Sequence, residues 1–271
     1  MEHLKSESSI AVFDSGIGSI SIIKELRRYL PCENYIYLAD KKHFPYGQKK
    51  HDDLLHIIQN TIGYLTEQFC PKLIVIASNT PSIQVLHKIK TSDTKIFGVF
   101  PPVLEAVDCS KTGHIAILAT RSTVESPELE EYIKSKKIPP TIKITKFNAS
   151  PMVELVESGS FLLEKEKSRL IIERELKQLA EIDADIDTMT LSSTHLPFLK
   201  NYFSSLRPDV CFIDPAEIIA KKVMVYLREN NIEKKGAGYF RIIVSQDKKL
   251  FESIIKKLGI DEEVAEVNFN F

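Results

Sequence analysis

The chain has 271 residues, of which 43% are hydrophobic and 27% are charged, and its formal net charge is −1. This composition is ordinary for a globular protein long enough for one large or two modest domains. Acidic and basic residues are interleaved, so the chain lacks the net field that attracts nucleic acid. No apolar run is long enough to cross a bilayer, so membrane insertion is not expected.

The N-terminal segment and the cysteines both favour the cytoplasm. Residues 1–9 are polar and lack the apolar core of a signal peptide, so we expect a short disordered leader or a cloning remnant. Four cysteines are scattered without short paired spacings, which favours reduced thiols over disulfides or a zinc site; they are Cys32, Cys70, Cys109 and Cys211. His51 and His56 miss the spacing of four that aligns two ligands on a helix, and no metal is expected.

The first part of the chain alternates apolar runs with amphipathic segments. Strands are predicted at 10–13, 35–38 and from residue 73, and helices at 22–30 and 53–69. The helices are predicted because apolar residues recur there at helical spacing. Strands that alternate with helices are typical of a parallel sheet covered by helices.

The same order of elements restarts near residue 115. A strand at 115–118 precedes a loop of hydroxyl residues, 142–147 corresponds to the second strand, and a helical pattern over 163–179 leads to a strand at 189–191. The two halves share this order although few residues are identical. We therefore predict an α/β fold of two pseudo-symmetric Rossmann-like (flavodoxin-like) domains, whose parallel sheets face each other across a central cleft.

Two strand ends carry small polar residues of the same kind. Residues 77–80 read Ala-Ser-Asn-Thr after one apolar run, and residues 192–195 read Ser-Ser-Thr-His after another. The carboxyl ends of parallel strands and the N-termini of the following helices present free backbone N–H groups to ligands. The paired loops predict one ligand that is held from two sides.

Short motifs along nearly the whole chain resemble the glutamate racemases of the aspartate/glutamate racemase superfamily. They lie at residues 12–18, 37–40, 45–47, 98–102, 119–126, 155–159, 193–197 and 213–217. Each motif alone is weak evidence for the family, whereas the ordered set of motifs is typical of it. The resemblance implies cofactor-independent interconversion of L- and D-glutamate for bacterial peptidoglycan synthesis in the cytoplasm. It implies no cofactor and is compatible with a homodimer.

The resemblance also sets the expected domain boundaries. In that family the C-terminal segment returns to the first domain. We therefore expect an N-terminal domain of residues 1–97 and 208–271, and a second domain of residues 98–207. The C-terminal segment itself is predicted to contain strands at 210–213 and 240–244 and helices at 216–227 and 251–258.

The family's strand-end motifs read approximately Ala-Cys-Asn-Thr and Gly-Cys-Thr-His, and their cysteines are the two acid/base residues. Removal of an α-proton without an electron sink requires a matched base and acid on opposite faces of the substrate. Carried over, the cysteine positions fall on Ser78 and Ser193, with Asp14 and His195 assisting proton movement and Glu157 as a further helper. Expected substrate-binding residues are Ser15, Asp40, Tyr46, Gly47, Asn79, Thr80, Thr120, Thr123 and Thr194.

Serine at both cysteine positions departs from the family pattern. A hydroxyl is far less acidic than a thiol and is almost never ionised at neutral pH. Racemisation is therefore expected to be low or abolished, unless Asp14 or His195 acts directly as the base. The serines could be engineered, could mark a natural loss of catalysis or could reflect altered chemistry. Divergence at the neighbouring Pro81, Ser192 and Leu196 favours a natural origin.

Several interpretations remain open at this stage. Asp14 alone also fits a helix N-cap and turn, and His195 alone also fits a packed core histidine. The protein is either a racemase acting on glutamate, or less readily aspartate, or a non-catalytic paralogue that binds an acidic amino acid in sensing or regulation. A serine hydrolase is disfavoured because the chain has no Gly-x-Ser-x-Gly elbow. Residues 14–18 lack the P-loop lysine and the third glycine of a dinucleotide-binding loop.

Overall fold

A computed structural model describes residues 6–90 and 94–268. Most of the predicted N-terminal leader, residues 1–5, therefore lies outside the described residues. The chain divides into two compact units. Unit 1 comprises Met1–Val99 and Ala216–Phe271, and unit 2 comprises Phe100–Pro215.

Unit 1 is built on a six-stranded parallel sheet with the strand order β10-β9-β2-β1-β3-β4. The strands are β1 (Ile10–Asp14), β2 (Tyr35–Ala39), β3 (Leu73–Ile76), β4 (Lys95–Gly98), β9 (Phe240–Val244) and β10 (Val264–Glu266). The three central strands are buried along their whole length, as their continuous apolar runs require of a sheet that is covered on both faces.

The helices of unit 1 supply the covering layers. They are α1 (Ile20–Tyr29), α2 (His51–Phe69), α3 (Asn79–Gln84), α11 (Pro215–Glu229) and α12 (Lys248–Lys257), with short 3-10 turns at Lys41–His43, Tyr46–Gln48 and Leu86–Lys88. The periodic apolar side chains of α2 are buried against strand residues such as Phe13 and Ile74. This packing forms a hydrophobic core on one face of the sheet.

Unit 2 contains a four-stranded parallel sheet with the order β6-β5-β7-β8. The strands are β5 (His114–Ala119), β6 (Lys143–Asn148), β7 (Thr188–Leu191) and β8 (Cys211–Ile213). The helices are α4 (Val103–Cys109), α5 (Arg121–Val124), α6 (Pro127–Ser135), α7 (Ser150–Glu157), α8 (Ser160–Leu163), α9 (Lys165–Ile182) and α10 (Lys200–Leu206), with a 3-10 turn at Leu196–Leu199. The predicted α/β class with two parallel sheets is confirmed.

One segment lies in a different unit from the one predicted. Residues 208–215 were assigned to the first domain, yet β8 pairs in parallel with β7, with Thr188 opposite Cys211 and Thr190 opposite Ile213. Backbone hydrogen bonding to β7 therefore holds this three-residue strand in unit 2, and the chain returns to unit 1 at Ala216. The edge strands β4 and β10 were not predicted. Both are short, and neither is buried along its whole length.

A helix that crosses a bilayer needs about 20 mostly apolar residues. No helix within residues 6–90 and 94–268 combines that length with sufficient apolar character.

A buried ion pair supports the base of the unit 1 sheet. Lys72 Nζ lies 2.5 Å from Glu33 Oε2, and the two side chains are 0% and 2% exposed. Lys72 also donates to the carbonyl oxygens of Ser6 and Ile232, each at 2.9 Å. Burial lowers the pKa of Lys72, and the adjacent Glu33 opposes that shift. The pair joins the start of β3 to segments that are distant in the sequence.

Replacing Lys72 by Met should lower the free energy of unfolding by about 3–5 kcal/mol, because Glu33 would be left buried without its cation. Urea denaturation measures the loss. The matched control is Arg228→Met, which removes an exposed partner of Glu233 and should cost less than about 1 kcal/mol. Equal effects of the two substitutions would contradict this assignment.

Candidate functional site

The site residues predicted in unit 1 follow three strands that are neighbours in the sheet. Asp14 is the last residue of β1, Asp40 follows β2, and Ser78 follows β3. Asp40 N donates to Asp14 O at 2.7 Å, and Ala77 N donates to Phe13 O at 2.8 Å. Parallel pairing therefore brings the three carboxyl ends to the same edge, where open α/β sheets bind ligands.

Asp14 is 1% exposed and does not cap the following helix. Its Oδ1 accepts a hydrogen bond from Ser15 N at 2.7 Å, whereas α1 begins only at Ile20 and has Ser19 at its N-cap position. The carboxylate is therefore held by the strand-end turn. Of the structural roles considered for Asp14, the turn agrees with this geometry and the helix cap does not.

Ser78 stands immediately before α3 in an extended conformation, and its side chain makes no capping hydrogen bond. Its carbonyl oxygen instead accepts from Ser82 Oγ at 2.6 Å. Pro81 is tolerated because the N–H groups of the first helical turn have no partner within the helix. The Ser78 hydroxyl, in a residue that is 9% exposed, is not used to begin the helix.

Asn79 contributes a polar group that the described residues do not satisfy. Its Nδ2 donates to Val99 O at 3.1 Å. Its Oδ1 is fully buried and has no hydrogen-bond partner among residues 6–90 and 94–268. Buried acceptors are normally paired, so this atom marks a place for a donor from a ligand or from water.

Three further predicted residues of unit 1 lie in the segments that follow β2 and β3. Tyr46 donates to Asp40 Oδ2 at 3.0 Å, and both residues are buried. Burial, followed by the nearby Asp40 and Asp14 carboxylates, raises the pKa of Tyr46 well above its ordinary value. Tyr46 is therefore a permanent hydrogen-bond donor. Gly47 lies beside it in the same 3-10 turn, and Thr80 is buried in the first turn of α3.

In unit 2 the decisive contact joins His195 to Glu157. His195 Nε2 lies 2.8 Å from Glu157 Oε2, and each side chain is only 7% exposed. Glu157 ends α7, and His195 precedes the 3-10 turn that follows β7. The carboxylate orients the imidazole, as positioned acid/base histidines require. His195 is thus a packed histidine whose ring is oriented by a buried carboxylate.

The hydroxyl residues predicted in unit 2 lie on the strand-end loops of β5 and β7. Ser193 and Thr194 are 5% and 2% exposed and directly precede His195. Thr120 Oγ1 and Thr123 Oγ1 are 2.9 Å apart at the start of α5. Each unit therefore brings a strand-end serine into the same group of loops as a carboxylate and several hydrogen-bond donors.

The sequence analysis did not predict the contact between His43 and the predicted site residue Asp40 in unit 1. His43 Nδ1 lies 2.8 Å from both carboxylate oxygens of Asp40. The only available signal was that residues 41–43, Lys-Lys-His, are more basic than the family pattern. Sequence alone does not show that this ring meets Asp40.

A possible metal-ligand set lies elsewhere in unit 2, at the start of β5. It consists of His114, Asp183 and Asp185. Lys143 Nζ lies 3.0 Å from Asp183 Oδ2, and His114 Nδ1 lies 2.9 Å from Asp183 Oδ1. The lysine cation already neutralises the central carboxylate, which makes this cluster an ion-pair network and a poor cation site.

Comparison with known proteins identifies the family. No protein-family model matches the chain. However, glutamate racemase 1 of Caldanaerobacter subterraneus subsp. tengcongensis is 33% identical over 258 residues, which cover 92% of this chain and 91% of that protein. The chain belongs to the glutamate racemase family. The glutamate racemase of Haemophilus influenzae strain PittGG is 29% identical over 241 residues, 88% of each chain.

Solved structures of this family share the fold. The Escherichia coli glutamate racemase in complex with L-glutamate and the activator UDP-MurNAc-ala has a TM-score of 0.85 at 26% identity, over 97% of this chain and 98% of that one. The Thermus thermophilus enzyme in complex with beta-chloro-D-alanine has a TM-score of 0.82 at 28% identity, over 98% of each chain. The family that the motifs predicted is therefore confirmed.

The His195–Glu157 contact predicts one tautomer of the neutral imidazole, with the proton on Nε2. Glu157→Leu should remove this preference, which ¹⁵N NMR of the histidine rings reports directly. His114 is an internal control, because its bond to Asp183 uses Nδ1 and does not involve Glu157. Unchanged His195 nitrogen shifts in the folded variant would contradict the contact.

Proposed function

We propose that this protein binds glutamate and transfers its α-proton slowly, because hydroxyls occupy the two positions that correspond to the family's cysteines. The observation that carries the proposal is the presence of carboxylate and imidazole groups at the strand ends that also carry those serines. Asp14 is held at the strand ends of unit 1, and the buried His195–Glu157 pair follows the loop of Ser193 in unit 2. Family membership supplies the reaction class.

The choice of ligand rests on donors, acceptors and relatives. Hydroxyls and strand-end N–H groups suit the two carboxylates of an acidic amino acid. An α-ammonium group supplies the kind of N–H donor that the unpaired Asn79 Oδ1 lacks. Glutamate is preferred to aspartate because the Escherichia coli relative is described in complex with L-glutamate.

The proposed chemistry is the loss and return of the α-proton of the substrate. The Cα–H bond breaks, its proton passes to a base, and the electron pair remains on the α-carbon and spreads into the adjacent carboxylate. A proton from the opposite side then completes the inversion. The positions concerned are Ser78 with Asp14 in unit 1, and Ser193 with His195 and Glu157 in unit 2. No cofactor takes part in this scheme.

In the proposed reaction, proton transfer is slow because the serine hydroxyl is a much weaker acid than the cysteine thiol. A cysteine with a pKa near ~8.5 provides some thiolate at neutral pH, whereas a serine hydroxyl provides essentially no alkoxide. Serine and cysteine are close in size, so the binding residues can keep their positions while proton transfer slows. The four cysteines present, Cys32, Cys70, Cys109 and Cys211, form no disulfide, which supports the cytoplasmic location included in the proposal.

Restoring thiols provides the direct test. The variant Ser78→Cys/Ser193→Cys should exchange the α-proton of L-glutamate at least about 100-fold faster than the unmodified chain, because general acid–base catalysis contributes factors of this size. Proton NMR in deuterated water follows the loss of the α-proton signal. Calorimetry measures glutamate affinity, which should change little.

The matched control is Ser78→Ala/Ser193→Ala, which removes both hydroxyls but leaves Asp14 and His195 in place. It should bind glutamate and exchange its α-proton no faster than the unmodified chain. Failure of the unmodified chain to bind glutamate would refute the proposal. Saturable binding without any gain from the two cysteines would instead support a non-catalytic binding protein.

A further inference from the structure

Helix α11 carries a surface stripe in which two opposite charges flank two apolar residues. Val225, Tyr226 and Glu229 follow Lys222 by three, four and seven positions, which places all four on one face of the helix. Lys222, Val225 and Glu229 are exposed, and Tyr226 is half-buried. Val225 is 46% exposed, although valine is usually an interior residue. The stripe is therefore not the face with which α11 covers the core.

A different face of α11 packs against unit 1. Ile219, Ala220, Val223 and Leu227 recur at helical spacing and are between 0% and 3% exposed. The helix is thus fully committed to the core on that face, and the stripe of Val225 and Tyr226 adds apolar surface on another. Apolar surface that is rimmed by polar residues is typical of contact with another molecule.

The stripe is one wall of a groove, and the edge strand β4 is the other. The groove has a volume of about 420 Å³ and is lined by Lys95 and Phe97 as well as by the stripe. The Phe97 and Tyr226 rings meet edge to face with their centroids 5.5 Å apart. Among the described strands, β4 is the last of its sheet and pairs only with β3. The groove therefore combines an apolar floor with the open edge of a sheet.

The two charges of the stripe have no ionic partner within residues 6–90 and 94–268. Lys222 and Glu229 take part in none of the ion pairs formed there, whereas the adjacent Lys221 lies 2.9 Å from Glu217 Oε1. About 10 Å of helix separates Lys222 from Glu229, and they form no ion pair with each other. Both charges are available to a second molecule.

The order of these residues makes the stripe complementary to itself. If two copies of α11 lie antiparallel about a two-fold axis between residues 225 and 226, Lys222 of each copy faces the partner's Glu229, and Val225 faces the partner's Tyr226. A parallel arrangement would place lysine against lysine and glutamate against glutamate, which like-charge repulsion disfavours. The charge pattern thus favours a second copy of this chain in one orientation.

We propose that the groove between α11 and β4 is the interface of a reversible homodimer, in which the two α11 helices pack antiparallel. The apolar centre of the stripe is buried between the copies, and two lysine–glutamate pairs flank it. One helix and one edge strand from each copy form a contact at the small end of specific interfaces, so the dimer should dissociate on dilution. This inference goes beyond the proposed function, because it requires neither glutamate nor the two strand-end serines.

Sedimentation velocity over a dilution series measures the association. The sedimentation coefficient of the unmodified chain should rise with concentration. Lys222→Glu places two pairs of glutamates across the axis and should weaken the dimer by at least about tenfold. Glu229→Lys, which places two pairs of lysines there, should do the same. The matched control is Lys257→Glu at an exposed position of α12, which should leave the dissociation constant unchanged.

The combined charge exchange is the decisive variant. Lys222→Glu/Glu229→Lys restores both opposite-charge contacts with their order reversed, so its dissociation constant should return to within about threefold of the unmodified chain. Val225→Glu would bury a charge at the centre of the contact and should abolish the dimer. Leu250→Glu is its control, since Leu250 is 52% exposed on α12 of the same unit. Circular dichroism and thermal unfolding verify that each variant is folded.

Three results would overturn the proposal. The first is an unmodified chain that stays monomeric up to about 1 mM, a concentration at which even a weak specific dimer forms. The second is a dimer that Lys222→Glu and Val225→Glu leave unaltered, because its interface would then lie elsewhere on the protein. The third is failure of the combined variant to dimerise. None of these results affects glutamate binding, which calorimetry measures separately.

Discussion

Parallel strand pairing is the constraint on which the candidate site depends. In unit 1, Asp14 lies opposite Ala39 and Phe13 opposite Ile76, so residues widely separated in sequence end their strands at one edge. Parallel strands bury their apolar residues on both faces, and polar side chains collect where the strands stop. Those polar groups must then find partners, because an unpaired buried charge is costly. The hydrogen bonds of Asp14, Asp40 and Glu157 meet that requirement.

Under the proposed function, Ser78 and Ser193 stand where the family has cysteines. Serine is close to cysteine in size but is a far weaker acid. Ser78 and Ser193 are both buried at their strand ends, and neither acts as an ordinary helix cap. What changes is the free energy of losing a proton. Binding and proton transfer are therefore expected to respond very differently at these two positions.

Two histidines are paired with buried carboxylates close to the strand ends. The contact between His195 and Glu157 spans 38 residues of sequence, whereas His43 and Asp40 belong to one local turn. The carboxylate in each case binds one ring nitrogen and so restricts the orientation of the ring.

The amino-acid sequence by itself determined the α/β class, the central strands and the family. Apolar runs and helical periodicity are local signals, and the ordered motifs are specific as a set. It also located the strand-end residues, since small polar side chains directly follow buried runs. Only the tertiary structure decided that β8 joins the sheet of unit 2 and that His43 meets Asp40. The pairing of His195 with Glu157 was equally invisible, since the sequence offered both residues as candidates but not their contact. Edge-strand pairing and buried hydrogen bonds depend on which distant segments meet, and local sequence patterns do not show which segments these are.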